Sequence, residues 1–428
     1  MRIEKRVIDF LNAHKECDDV ILSYRGTDSN LSRFGLNRIT QNMSKKIDEI
    51  KIKAIKDESI GSAVTTRGDR DSLLETLRIA ERIATSMPKD PEFIPPSKPK
   101  KCATVRRVKT PTMKVTPKMK ARKIEKIVES AKKKNATVAG YFSNGRTDLT
   151  VLNTKGFFCS HSYTNADFSI TVFVDGSSGF AQYADEDIGE VDPFSLYRTA
   201  CDKAERGRNP IEIEPGDYPV LLEPIALGSF LGYLSYVMDR RSADEGWSFF
   251  SKKLGKKIAS SSITLYSDPE CTQNRSIPFD FEGNGIPLKK HMWIKNGICN
   301  KLIVRPYWAK KKGIRSTGAP SNFILKGSQT SREQIMKKVD YGLLITRLWY
   351  IRFVNRKELI LTGMTRDGLF LIEGGKVTKP LRNMRFNDSP FSLLSSVEVL
   401  GKPERVEGRY LVPSIFAKKF HFASTTKF

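Results

Sequence analysis

YPVLLEPIALGSFLGYLSYVMD, residues 218–239, is the stretch on which the reading of the fold turns. Val220 to Leu222 read as a short strand, and Pro224 fits the first turn of a helix, where its missing N–H costs nothing. Ala226, Gly228, Ser229, Gly232 and Ser235 then keep that helix thin enough for close packing, so it reads as buried. The uncharged run from Ile225 to Met238 is 14 residues long, short of the about 20 needed to span a bilayer.

Immediately upstream, RNPIEIEPGDYPV (Arg208 to Val220) carries three prolines and Gly216, which mark a boundary. It divides the 428 residues into an amino-terminal α+β domain, 1–207, and a mostly antiparallel β domain, 208–428. In the second, Asp367-Gly368 between ILTGMTR and LFLIE and Gly374-Gly375 before KVTKP are hairpin signals, and a last strand lies near Arg409 to Ile415. The expected fold class is α+β.

The amino-terminal domain holds a weak internal repeat. IKAIKDESIGSA (Ile52 to Ala63) has the pattern of ITVFVDGSSGFA (Ile170 to Ala181): an alternating strand, a turn, then Gly-x-Ala, offset by 118 residues. Each copy leads into a helix, Asp71 to Ser86 and Pro193 to Arg206, so duplicated strand-helix units should lie side by side in one sheet. Ahead of them, MRIEKRVIDFLNAHKEC reads as an amphipathic helix, and VILSYRG and NLSRFGLNRITQN as strands joined at Thr27 to Ser29. Between the copies a Pro- and Lys-rich connection, 88–134, is extended at first and then forms a basic amphipathic helix from Lys118 to Lys134.

Hydrophobic residues at 39% and charged residues at 28% describe a chain that folds, and the net charge of +25 favours acidic or phosphate-bearing partners. Lys98 to Lys134 alone carries a net +13. Six scattered cysteines without a CxxC pair exclude zinc fingers and argue against a disulfide scaffold. With no apolar leader in view, the expectation is a soluble, reduced, cytoplasmic protein.

Most catalytic patterns are missing: there is no GxGxxG, Walker A loop, GxSxG elbow or HExxH. Cys159 and His161 share a strand face and could seed a metal or thiolate site, but with no third ligand in view a Cys and a His on a half-buried sheet are the preferred reading.

SRFGLNRITQN, the DGSSGFA turn, RNPIEIEPGDYPVLLEP, RPYWAKKKGIRSTG (Arg305 to Gly318) and LWYIRFVNRKELILTGMTRDGLFLIEGGKV (Leu348 to Val377) together resemble the TldD/PmbA family, modulators of DNA gyrase and subunits of a cytoplasmic metalloprotease. The resemblance spans nearly the whole chain. In catalytic members an HExxxH zinc motif lies at the strand-to-helix junction, which here reads Leu222-Glu223-Pro224-Ile225-Ala226-Leu227. Both histidine positions are leucine, only Glu223 remains, and no cysteine follows Cys299 where the family's third ligand would lie. Leucine has no lone pair for zinc. The site therefore holds no catalytic or metal residue, and Glu223 reads as a helix-start acid.

What the resemblance implies is the TldE/PmbA-like branch: a non-catalytic subunit, inactive alone, that joins a TldD-like catalytic partner or a second copy of itself and handles unfolded peptides. Zinc is expected only in the partner. The competing reading is a nucleic-acid-associated protein, carried by Lys98 to Lys134 and by Lys310 to Lys312 beside Tyr307 and Trp308. Such basic runs are expected to give weak, salt-sensitive binding. A stand-alone hydrolase with an unrecognised nucleophile has only Cys159 and His161 behind it.

Overall fold

The computed structural model describes residues 6–103 and 105–426. The first five residues of the expected amino-terminal helix lie outside that range, and α1 covers Arg6–His14. A six-stranded antiparallel sheet follows, built from β1 (Asp19–Gly35), β2 (Arg38–Lys56), β3 (Ser59–Thr65), β4 (Thr137–Asn153), β5 (Phe158–Val174) and β6 (Ser177–Asp185). Their order is β3-β2-β1-β4-β5-β6, two three-stranded meanders joined back to back along β1 and β4.

The duplication is visible residue by residue. Asp57 and Glu58 turn β2 into β3 with φ of 49° and 67°, and Asp175 and Gly176, 118 positions later, turn β5 into β6 with 46° and 78°. Positive φ at both central residues is what a twisted two-residue hairpin requires. One helix packs on each unit, α2 (Arg70–Ser86) and α5 (Pro193–Arg206). A Cβ added at Gly61 would lie 2.0 Å from Ala80 O, and one at Gly179 2.0 Å from Ala200 O. Glycine is required at both places because helix backbone rests directly on the strand.

Between the units run a short helix, α3 (Thr110–Met113), and α4 (Pro117–Lys133), which buries Lys120, Ile124, Ile127 and Ala131 against the sheet. Lys120 Nζ reaches Asn30 O at 3.0 Å and Asn144 Oδ1 at 3.1 Å across the β1–β4 seam, and burial lowers its pKa to about 8.

The second sheet is larger, mixed and mostly antiparallel. Its central strand β7 (Gly216–Leu222) lies between Tyr341–Ile345, parallel to it, and Tyr410–Thr425, antiparallel. The end of the strand flanked on both edges is the apolar part, and Val220, Leu221 and Leu222 there are fully buried. From it the chain enters α6 (Pro224–Leu231). No helix among the described residues is long and apolar enough to cross a membrane.

The structure corrects three local expectations. Thr27 to Ser29 is no turn: β1 runs straight through it, paired to both β2 and β4, and the chain reverses at Leu36 and Asn37, with φ of 50° and 58°. Asp367-Gly368 joins strands that do not pair with each other, since Ile360–Thr365 pairs with Leu348–Asn355 while Leu369–Glu373 pairs with Tyr341–Ile345. The buried helix is also shorter than the apolar run, tightening into a 3₁₀ segment over Gly232–Tyr236.

Candidate functional site

At the β7–α6 junction Pro224 takes the first helical position and Glu223 the N-cap, its carbonyl accepting from Leu227 N at 3.0 Å. The Glu223 carboxylate caps nothing. Oε2 accepts from Lys203 Nζ on α5 at 2.6 Å, and Oε1 from Arg332 Nη1 at 2.6 Å. Lys203 Nζ also donates to Phe180 O at 3.3 Å, so α5, β6 and the junction converge on one ammonium. The sequence reading of Glu223 as a helix-start acid holds for its place; its partner is a pair of cations rather than the helix.

Leu222 and Leu227 are both wholly buried in the core of the second sheet, among Phe230, Ile345, Phe420 and Ile415. These side chains offer a metal no donor, and the one carboxylate between them is already held by two cations, so the residues present do not fit a zinc ion. Among the described residues no cluster of three or more His, Cys, Asp or Glu side chains is placed to hold a metal.

The small residues of the segment serve packing. A Cβ at Gly228 would meet Val406 Cγ1 at 2.9 Å, and one at Gly232 the Tyr410 hydroxyl at 3.0 Å. The outer side of α6 and the 3₁₀ segment, through Ser229, Tyr233 and Tyr236, lines an open groove of about 860 Å³ whose far wall carries Tyr350, Arg352 and Arg409. Tyr236 and Tyr350 stand 62% and 54% exposed there. Aromatic rings with polar tips beside guanidinium groups suit contact with a polypeptide. Sequence reasoning passed over Tyr350, which is on an irregular strand with φ of 55°.

Cys159 and His161 do lie close in the fold, but Cys159 is bonded to Cys102, which corrects the fully reduced reading and removes the thiolate from the pair. The bond links the Pro- and Lys-rich connection to β5; pairing of that connection beside β5 at Arg107 and Tyr163 brings together cysteines far apart in sequence. His161 is 5% exposed, its Nε2 has no hydrogen-bond partner, and burial together with the nearby Arg107 lowers its pKa to about 4.

Folding withdraws some members of the basic runs and leaves most of them exposed. Arg107 is buried, donating to Glu186 at 3.4 Å and Ser276 Oγ at 2.9 Å, while Arg405 closes the network on Glu186 at 2.5 Å and Asp185 at 2.7 Å. Lys120 is buried and Lys134 is paired with Glu205. Trp308 is 4% exposed, with its Nε1 donating to Asp244 and Lys311 and Lys312 lying over its ring, so it presents no face to a base.

Comparison with known proteins agrees with this architecture. The PmbA/TldA metallopeptidase central domain matches residues 109–208, and the PmbA/TldA metallopeptidase C-terminal domain matches 215–424. A metalloprotease TldD homolog of Buchnera aphidicola is 24% identical over 300 residues, 62% of this chain and 60% of that protein. Metalloprotease PmbA of Escherichia coli O157:H7 is 28% identical over 168 residues, 38% of this chain and 36% of its own. The chain thus spans less than two thirds of the length of these curated relatives. In structure, TldE from Thermococcus kodakarensis superposes with a TM-score of 0.89 at 21% identity, covering 98% of this chain and 99% of that one. A putative modulator of DNA gyrase from Bacteroides thetaiotaomicron gives 0.87 at 18% identity, with 98% of each chain covered. With the two family domains together matching 109–208 and 215–424, well over half of the chain, on an α+β fold, the chain belongs to the PmbA/TldD metallopeptidase family.

Proposed function

We propose that this chain is a non-catalytic, TldE/PmbA-like subunit of a TldD-type metalloprotease complex that handles unfolded peptides, with zinc supplied by the catalytic partner. The observation that carries this reading is the junction itself: Leu222 and Leu227 fill the core, and Glu223 is spent in an ion pair with Lys203 and Arg332. A metal-bound junction needs lone-pair donors; this one is instead a buried ion pair that ties α5 to the second sheet. The groove beside α6, with Tyr236 and Tyr350 at its lip, is the surface such a subunit would contribute to a shared chamber.

Mixing the purified chain with a family member carrying an intact HExxxH tests the reading. Size-exclusion chromatography is expected to show a mixed complex, and cleavage of an unfolded peptide to appear in the mixture and not with this chain alone. Separate homodimers, with the partner fully active by itself, would overturn it.

A further inference from the structure

A second concave surface lies apart from the β7–α6 junction, where the extended segment 94–101 runs alongside residues 283–317 of the second sheet's loops. It encloses about 1200 Å³, above the ~300–1,000 Å³ of ordinary small-molecule sites. Seven of its lining residues are lysine or arginine, and none is aspartate or glutamate. Lys290 and Arg240 have partners in Asp268 and Asp244, but Lys100, Lys101, Lys289, Lys301 and Arg315 pair with no carboxylate among the described residues. All five are exposed at the rim. The floor between them is aliphatic: Leu302, Val304 and Ala309 below, Pro95, Pro96 and Pro287 at the sides.

We propose that this groove binds an acidic, extended peptide segment, with its carboxylates on the bare cations of the rim and its apolar side chains on the aliphatic floor. Five like charges around one concavity repel one another and focus a positive potential into it, a field that a ligand of opposite sign relieves. Unpaired exposed cations occur elsewhere too, as at Lys132 and Lys133 on α4, but these five gather around one concavity whose lining holds no carboxylate. The chemistry of the lining selects the kind of polyanion. Single-stranded nucleic acid is held by stacking its bases on aromatic rings. No aromatic side chain other than the imidazole of His291 lines this groove, and the apolar floor would face bare phosphodiester. A peptide alternating carboxylates with aliphatic residues satisfies floor and rim together. The proline-bearing wall presents few N–H groups, so recognition falls to side chains and tolerates variation in the bound sequence. This inference stands whether or not the chain joins a catalytic partner.

The test is fluorescence anisotropy on the full-length chain with three labelled probes: a short peptide rich in Glu and Leu, the same peptide with Lys for Glu, and an oligothymidylate of similar length. The acidic peptide is expected to bind saturably and to weaken with added salt, and the lysine version not to bind. The triple variant Lys289→Gln, Lys301→Gln, Arg315→Gln is expected to weaken acidic-peptide binding by roughly tenfold or more. The exposed control Lys132→Gln, Lys133→Gln should leave it unchanged, and thermal melts confirm that both variants fold. Replacing Lys289 and Lys301 by Arg should retain binding. The proposal is overturned by absence of saturable acidic-peptide binding, by equal loss in the control variant, or by oligothymidylate binding more tightly and being lost in the same triple variant.

Discussion

Lys203 Nζ lies 2.6 Å from Glu223 Oε2, with only 7% and 6% of the two side chains exposed, and this contact fastens α5 of the first sheet to the start of α6 in the second. Removing one member of a buried pair strands the other charge, at a cost of about 3–5 kcal/mol. Glu223→Leu is expected to be worse than Lys203→Met, because the glutamate loss strands both Lys203 and Arg332 whereas the lysine loss leaves Arg332 in place. Urea denaturation of the two single variants and the double variant checks this. The double should cost less than the sum, and additive losses below about 1 kcal/mol would show that the contact is not structural.

The same junction gives a prediction about metal. Leu222→His with Leu227→His puts two imidazoles into a dry core without a third donor. The variant is expected to lose roughly 1–3 kcal/mol for each unsatisfied group and to bind no stoichiometric zinc. Metal analysis by mass spectrometry beside a thermal melt is sufficient; one tightly held zinc per chain would contradict it.

Gly61 and Gly179 offer a paired test of the duplication. Alanine at either forces helix from strand, and each substitution is expected to destabilise by about 1–3 kcal/mol or more, to similar extents. Gly35→Ala, where an added Cβ meets nothing within 4 Å, is the control and should change little. Strongly unequal effects at 61 and 179 would argue that the two units do not bear equivalent loads.

His161 sets a pH dependence. Burial first, then Arg107, lowers its folded pKa to about 4, against an ordinary 6.5. Between those values the unfolded chain takes up a proton that the folded chain refuses, so stability falls as pH drops from 6.5 towards 4, by on the order of 3 kcal/mol. Above pH 6.5 the residue contributes no slope. In His161→Phe that part of the acid loss should vanish, as denaturation midpoints measured from pH 7 to pH 4 would reveal; an unchanged slope would mean the imidazole takes up its proton in the fold.

The repeated units were legible because each is built from neighbouring residues: the alternating strand, the turn and Gly-x-Ala sit within twelve positions, and the structure reproduces the offset of 118. The Thr27–Ser29 turn was misread because polar residues in mid-strand look like a turn until both strand edges are found paired. Asp367-Gly368 failed for a related reason, since a dipeptide suited to a hairpin also suits any corner with positive φ. At the junction, the sequence revealed Leu222 and Leu227 and the lone Glu223, but not its partners. Lys203 and Arg332 come from 20 residues before and 109 after it, and no local pattern connects them. The bare cations of the 94–101 groove were hidden likewise, because the sequence cannot say which lysines of a basic run fold away or find a carboxylate.

The back-to-back seam of β1 and β4 has a kinetic consequence. Inside each meander the paired strands are sequence neighbours, but the seam sets Asn30 against Asn144 and closes a long loop before any contact there repays it. The meanders are therefore expected to assemble early and separately, each on its own helix, with the seam zipping late. Asn144→Ala, which removes one of the two acceptors of Lys120 Nζ at the seam, should accordingly speed unfolding while leaving the folding rate almost untouched in stopped-flow chevrons. A variant that instead slows folding would place the seam in the nucleus and make the two halves of the sheet a single cooperative event.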